Sequence, residues 1–372
     1  MASTHSARLE RWMGVAAVER LSASMRDWHG PPIALAQVPG AVWACGGGDF
    51  RGRIAAGQMA PLADYVEQRL KRIVRNASRR QLHTLNAGFS SLSDLISEAT
   101  VNGKQRVFHT NKSGAVGVVG GANSLWGLGS WPPAGADAAT APGGEAPTDA
   151  TTGAFPFDNP TGGDTQHLVG AAIAASVVPN TLLLYDRIFQ VKKTMNSNAT
   201  ESVTGVPTRY QSSTPSAADY AAGNFAFPEV GVTVLAAGAH NWTVCKYRNQ
   251  AGTDAVSFAS TAGITTCPVR RVDLALPLWF MPLAAGDSGV MDLNQMQYDT
   301  SLIATGVINW VIGHPIALVG PTVANQLFAL DGIMTAFNLV RVFDDAALAF
   351  LEIMKGATTA TDYTGNVTTV AG

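Results

Sequence analysis

Charged residues are scarce in this chain of 372 residues, at 14% of the sequence, whereas roughly 25% is ordinary for a soluble domain. Apolar residues make up 47%, so a free monomer would have little charge to keep it from associating. Glycine and proline are plentiful, with 38 and 19 residues. Low charge combined with many turn-forming residues suits a protein that buries much of its surface in an assembly.

Cysteine is also scarce, since only Cys45, Cys245 and Cys267 occur. Without a C-x-x-C spacing, these three residues give neither a disulfide framework nor a zinc site. We expect Cys245 and Cys267 to be buried free thiols, although neighbouring strands would also allow them to pair. The histidines form no i, i+4 pair and no H-E-x-x-H motif, so no metal and no cofactor is predicted.

Long uninterrupted apolar runs are missing as well. The strongest membrane candidate, 301–320, is broken by Asn309, His314 and Pro315, so it predicts buried strands rather than a transmembrane helix. Residues 1–21 mix arginine and glutamate with apolar residues and lack the core of a signal peptide. We therefore expect a protein made in the cytoplasm and without membrane association.

Charge is unevenly distributed along the chain. Residues 1–85 carry 12 Lys/Arg against 6 Asp/Glu, whereas the remaining residues carry 13 against 21. Apolar residues repeat at helical spacing over 9–28 and 59–82, and serine and aspartate favour a short helix over 90–99. These patterns predict a basic, helical N-terminal arm over residues 1–88.

The face of 59–82 opposite its apolar residues is basic. Its six cations are Arg69, Lys71, Arg72, Arg75, Arg79 and Arg80. We expect them to contact a neighbouring subunit or a capsid surface, and phosphates are an alternative partner with salt-sensitive binding. No aromatic stacking platform accompanies them, so sequence-specific recognition of nucleic acid is not predicted.

After about residue 104 the helical period gives way to short stretches rich in β-branched and aromatic residues. Turn formers separate these stretches, as at 249–254, 284–289 and 343–346. We predict strands in QRVFHTNKS, VTVLAAGAH, NWTVCKYRN, VDLALPLWFMPL, FNLVRVF and AALAFLEIM. Residues 89–372 are thus expected to form a mainly β body, an antiparallel β-sandwich of jelly-roll-like type.

A stretch poor in large apolar residues, 132–164, interrupts this pattern. Two phenylalanines are its only large apolar side chains. The composition predicts a long irregular loop that builds no core and lies over a surface or a neighbouring subunit.

The tetrapeptide Gly-Asp-Ser-Gly at 286–289 suggests a serine nucleophile at Ser288. Such a serine needs a histidine within hydrogen-bond reach and a carboxylate that orients the histidine. The candidate, His240, lies only 48 residues before Ser288, too close for the two barrels of the chymotrypsin design. We interpret the segment as a hairpin turn and predict no catalytic residue. A serine hydrolase that uses Ser288 is the alternative of another class.

Seven short landmarks follow one another between Ser91 and Ile353. They are SLSDLISEAT, VFHTNKSG, SLWGLGSWPPAGA, LLLYDRIFQV, TGVPTRY, PLAAGDSGV and VFDDAALAFLEI. In this order they resemble a family of tailed-bacteriophage virion structural proteins. The resemblance implies an all-β component of the virion without enzymatic activity.

The position in the particle follows from the pattern between 104 and 372. A major capsid protein of the common tailed-phage fold needs a long amphipathic helix in mid-chain, and no such pattern occurs there. We therefore expect a head decoration or cement protein, a homo-oligomer with a trimer favoured, bound to the major capsid protein through its N-terminal arm and loops. A major capsid protein and a tail or collar component are the alternatives.

Overall fold

A computed structural model describes residues 88–372, apart from 178–179, 237, 300–304, 334–338 and 357–358. These residues belong to the compact unit Ile73–Gly372. The helices predicted over 9–28 and 59–82 lie outside the described residues.

The described chain starts with a short helix, α1 (Leu92–Thr100), where one was predicted. The Ser91 hydroxyl accepts a hydrogen bond from the Asp94 N–H at 3.1 Å, and the Asp94 carboxylate accepts one from the Ser90 N–H at 2.8 Å. These bonds satisfy donors that the first turn of a helix leaves open. The buried side of α1 packs through Leu95 against Phe89 and Val370.

The remaining regular structure in the described residues is β. The first nine strands are β1 (Gln105–Ser113), β2 (Ala122–Ser124), β3 (Ser130–Trp131), β4 (Gln166–Ala175), β5 (Asn180–Thr194), β6 (Glu201–Ser202), β7 (Phe225–Val230), β8 (Asn241–Trp242) and β9 (Lys246–Asn249). The others are β10 (Val256–Ser257), β11 (Thr261–Ala262), β12 (Val290–Met296), β13 (Val307–Val319), β14 (Leu327–Asp331), β15 (Val340–Val342), β16 (Leu348–Met354) and β17 (Asp362–Ala371).

These strands form three principal sheets, in which every strand pair is antiparallel. Sheet A has the order β14-β4-β17-β1-β3, with β15 also paired to β4. Sheet B has the order β2-β16-β5-β13-β7, and sheet C the order β10-β9-β12-β6. Strands β8 and β11 form a separate small ribbon. The mainly β, antiparallel body predicted from the sequence is therefore confirmed.

Sheet B is the middle layer, because both of its faces are buried. Along β5, Leu182 and Leu184 face sheet A, while Leu183 and Tyr185 face the side of sheet C. β16 alternates in the same way, with Phe350 toward sheet A and Leu351 toward sheet C. Successive side chains of a strand point to opposite faces, so a strand buried on both sides reads as a continuous apolar run. The body is a sandwich with a third layer.

The apolar segment 301–320 contains strand β13, in agreement with the prediction of buried strand structure. No helix in the described part of the chain is long and apolar enough to cross a membrane.

Two of the predicted strands are wrong, and a third, NWTVCKYRN, is divided into β8 and β9, which lie in different sheets. Residues 232–240 form no strand where they are described, and Val232 donates its N–H to the Asp137 carboxylate at 3.1 Å instead of to a neighbouring strand. Residues 273–283 are irregular as well. Pro277 and Pro282 lie within that segment and have no N–H to donate to a ladder.

The loop 132–164 is irregular, as predicted, but it does take part in a core. Phe155 and Phe157 are buried between sheets A and B. Phe155 packs edge-on against Phe350, with 5.4 Å between the ring centroids. Bridges from Thr140 and Glu145 to β5 hold the loop along sheet B. The loop thus covers its own subunit, because two aromatic side chains suffice to anchor it there.

Candidate functional site

The turn that contains Ser288 is held by its backbone and by its aspartate. Asp287 accepts hydrogen bonds from the Tyr247 hydroxyl at 2.6 Å and from the Asn249 side-chain amide at 2.8 Å. Ser288 is exposed, and its N–H donates to the Gln250 side chain at 2.9 Å. The segment before the turn is no strand, so the turn is not the predicted hairpin.

The histidine proposed as a partner for Ser288 is engaged elsewhere. His240 is buried, with Nε2 2.7 Å from an oxygen of Asp273 and Nδ1 3.1 Å from the Gly238 carbonyl. Burial lowers the pKa of His240, but the hydrogen bond and charge of Asp273, together with the Gly238 carbonyl, outweigh it and raise the pKa. An imidazole that donates through both nitrogens keeps no lone pair for general-base work.

Asp273 organises the segments around this histidine. It also accepts hydrogen bonds from the Trp242 indole at 3.1 Å and from the Ile264 N–H at 2.6 Å. The His240–Asp273 pair therefore joins β8, β11 and the irregular segment after Val272. Its arrangement is that of a buried structural ion pair.

Three of the seven landmarks meet at the carboxylate of Asp186. Asp186 lies in LLLYDRIFQV on β5, and Arg209 in TGVPTRY donates to it twice, from Nε and Nη2, at 2.8 Å each. The Ala347 N–H in VFDDAALAFLEI donates to the same carboxylate at 2.9 Å. Both side chains are buried. The landmarks thus build one connected part of the body.

A second buried charge network starts at the next residue, Arg187. Its guanidinium donates to Glu229 at 2.7 Å, and Arg270 lies 3.4 Å from both Glu229 and Asp137. Arg187 and Glu229 are fully shielded from solvent. Paired charges of this kind are costly when one partner is removed, so they fix the position of β7 against β5.

The landmark SLWGLGSWPPAGA packs tightly around its own tryptophan. A Cβ at Gly135 would lie 2.2 Å from Nε1 of the fully buried Trp126. The Arg187 guanidinium stacks over the same indole ring, 4.8 Å from its centroid. Only glycine fits at Gly135. The contact of Arg187 with the indole links this landmark to the Arg187 network.

Glu352 is a buried carboxyl group without a cation at its oxygens in the described structure. It accepts hydrogen bonds from the Tyr363 hydroxyl at 2.6 Å, the Asn180 amide at 2.8 Å and the Asn123 amide at 3.1 Å. Burial raises the pKa of Glu352 despite these three donors. The group connects β2, β5 and β16 of sheet B with β17 of sheet A.

Cys245 and Cys267 are buried free thiols, as predicted. Burial raises the pKa of Cys245 to about 12 and raises that of Cys267 as well. Both sulfurs are therefore protonated and unreactive at neutral pH. No group of three or more potential metal ligands occurs within the described residues.

The basic residues Arg69, Lys71, Arg72, Arg75, Arg79 and Arg80 lie outside the described residues. The body itself presents an acidic surface. Six of the 13 cations after residue 85 are buried, compared with four of the 21 carboxylates, so seven cations face 17 carboxylates outside the core. This imbalance exceeds what the sequence shows, because more cations than carboxylates are buried.

This chain resembles several solved structures distantly. No protein-family model matches the chain, and no curated protein matches it. Among solved structures, one of infectious bursal disease virus, Gt strain, aligns over 72% of this chain and 80% of its own, at 9% identity and a TM-score of 0.16. The VP2 subviral particle of infectious bursal disease virus aligns over 78% and 85%, at 10% identity and a TM-score of 0.14. TM-scores this low are evidence neither for a shared fold nor for a shared function.

Proposed function

We propose that this chain is a non-enzymatic structural protein of a tailed-phage virion, and specifically a decoration or cement protein of the head. The convergence of three landmarks on Asp186 carries the proposal. Segments that resemble virion structural proteins in sequence order supply the central strand β5, its buried ion-pair partner and the turn before β16. Their shared role is architectural, in keeping with what the resemblance implies.

The engagement of the candidate catalytic groups supports a non-enzymatic role. Ser288 contributes a backbone donor to a turn, and His240 is committed to Asp273 and Gly238. His240 is therefore not free to act as the base that a serine hydrolase would need beside Ser288.

The decoration role is favoured over the shell role by the distribution of helix. The described residues after position 104 contain no helix, whereas the common tailed-phage shell fold requires a long one. We expect a homo-oligomer, with a trimer favoured, that binds the major capsid protein in virions assembled in the host cytoplasm. The basic segment with Arg69 to Arg80 would then contact an acidic neighbouring surface or, alternatively, nucleic acid.

Deletion of the gene from the phage, followed by electron microscopy and protein quantification of the particles, tests this role. We expect heads to form without the protein, and the purified full chain to rebind them at a fixed ratio to the shell subunit. Failure to form heads would instead identify a shell subunit. Loss of tails or collars with intact heads would place the protein at the tail.

The enzymatic alternative has a separate test. Purified full chain and its Ser288→Ala variant would be assayed on ester and peptide substrates. Hydrolysis that disappears in the variant would contradict a purely structural role.

A further inference from the structure

One surface of the body carries little charge although the body is acidic. It is the side of sheet A that points away from sheet B. Alternate residues of β4, such as Ala171 and Ile173, are buried against sheet B, so the residues between them point outward. The same alternation holds on β17, where Val367 is buried and Asn366 is not.

The strand registers place these outward residues in a regular grid of three ranks on four strands. The middle rank runs Ala329, Ala172, Asn366, His109 across β14, β4, β17 and β1. A hydrogen bond of 3.2 Å from the Thr364 hydroxyl to the Asn111 side chain confirms that β17 and β1 share this side.

We call this grid the outer face; its end ranks run from Leu327 to Asn111 and from Asp331 to Val107. Between those corners the face consists of glycine, alanine, threonine, asparagine and, on β1, His109, and Asp331 is its only carboxylate. Leu327 and Val107 lie at diagonally opposite corners of the face. Both side chains are apolar, and they are 63% and 44% exposed. The solvent side of an antiparallel sheet is usually polar; this one is polar as well, but it carries a single carboxylate and no lysine or arginine.

The charge of the remaining surface indicates the partner. Seven cations and 17 carboxylates lie outside the core, so two copies of the body repel each other over most of their surfaces. Two copies that meet through the outer face bring few like charges together. Its short side chains would also let two sheets approach to about 10 Å, the usual spacing of stacked sheets.

We infer that the outer face packs against the outer face of a second copy of this chain, about a two-fold axis. This inference rests on the proposed assembly function and names one of its contacts. Four strands about 4.8 Å apart and six residues of about 3.3 Å rise give roughly 400 Å² per copy. A stable pair usually buries about 800 Å² per partner, so this contact is weak alone and effective where a subunit makes several contacts.

Charge substitution at the centre of the outer face tests the inference. The full chain would be compared with Ala172→Glu, Ala172→Lys and the matched control Ser257→Glu, which alters an exposed strand position in sheet C. Sedimentation velocity at rising protein concentration would measure self-association, and thermal unfolding would verify that each variant is folded.

We expect Ala172→Glu and Ala172→Lys each to weaken self-association at least tenfold and Ser257→Glu to leave it unchanged. An equimolar mixture of the Glu and Lys variants should restore association, because position 172 of each copy then faces an opposite charge. A variant that merely disturbs folding would not be rescued by mixing.

Equal association of the wild type and both Ala172 variants would overturn the inference, while particle assembly would still support the proposed function. A wild-type chain that stays monomeric at its solubility limit would overturn it as well. Binding of the chain to phage heads is measured separately, so failure of the proposed function would show there and not in the Ala172 series.

Discussion

The guanidinium of Arg209 forms two hydrogen bonds of 2.8 Å to the carboxylate of Asp186, and both side chains are buried. The pair joins the central strand β5 to an irregular segment. Its position explains how a landmark without secondary structure, TGVPTRY, is fixed in the body.

Removing one partner of this pair should destabilise the fold far more than replacing both partners with uncharged residues. Arg209→Ala leaves a buried carboxylate unpaired, and we expect a loss of about 3–5 kcal/mol in the free energy of unfolding. The double variant Asp186→Asn with Arg209→Met keeps the acceptor for the Ala347 N–H, and should recover most of that loss. Urea unfolding measures both, and equal losses in the two variants would contradict the prediction.

The Gly-Asp-Ser-Gly turn should depend on its aspartate and not on its serine. Asp287→Ala removes the acceptor of the Tyr247 hydroxyl and the Asn249 amide, which should cost about 1–3 kcal/mol. Ser288→Ala is the matched control, since Ser288 is exposed, and should change the free energy of unfolding by less than about 0.5 kcal/mol. A larger effect at Ser288 than at Asp287 would refute this assignment.

The His240–Asp273 pair should make stability fall toward alkaline pH. The folded pKa of His240 is raised, so its contribution is complete below the unfolded value of about 6.5 and is lost as pH rises through the folded pKa. The difference in free energy of unfolding between wild type and His240→Gln should therefore shrink from pH 6 to pH 9, by at most about 1.4 kcal/mol per pH unit. Parallel curves for the two proteins would rule out this titration.

Ionisation of Glu352 should also make the stability of the fold decrease as pH rises, but in a more acidic range. Because burial raises the folded pKa of Glu352, the folded state favours the protonated acid, and stability decreases as pH rises from the unfolded value of about 4.3 through the folded pKa. Relative to Glu352→Gln, the wild type should lose stability as pH rises from 4 to 7. The comparison uses only the change with pH, so a constant offset from the altered hydrogen bonds does not affect it.

Strands were predictable where apolar and β-branched residues run without interruption. QRVFHTNKS is β1, and the apolar part of AALAFLEIM is β16, because burial requires the same pattern that the sequence displays. VDLALPLWFMPL has equally apolar residues but is irregular, since Asp273 and two prolines divert its backbone from a ladder. Apolarity predicted its partial burial and not its conformation.

The candidate sites depended on contacts between distant segments, which local patterns do not encode. Nothing near Asp186 in the sequence predicts Arg209 as its partner, and His240 is separated from Asp273 by 33 residues. The outer face was equally hidden, because its alternation becomes visible only when the registers of β1, β4, β14 and β17 are known. The acidity of the surface was hidden as well, because it depends on which charged side chains the fold buries.

The place of β17 has a consequence for how the chain is made. This strand lies between β1 and β4 in the interior of sheet A, yet it is synthesised about 190 residues after β4 ends. During translation, the backbone N–H and C=O groups of β1 and β4 that later bind β17 are therefore unpaired. Such unpaired edges can pair with other nascent chains. Completion of sheet A is a late, long-range event, so we expect slow folding and a need for chaperone protection at high expression.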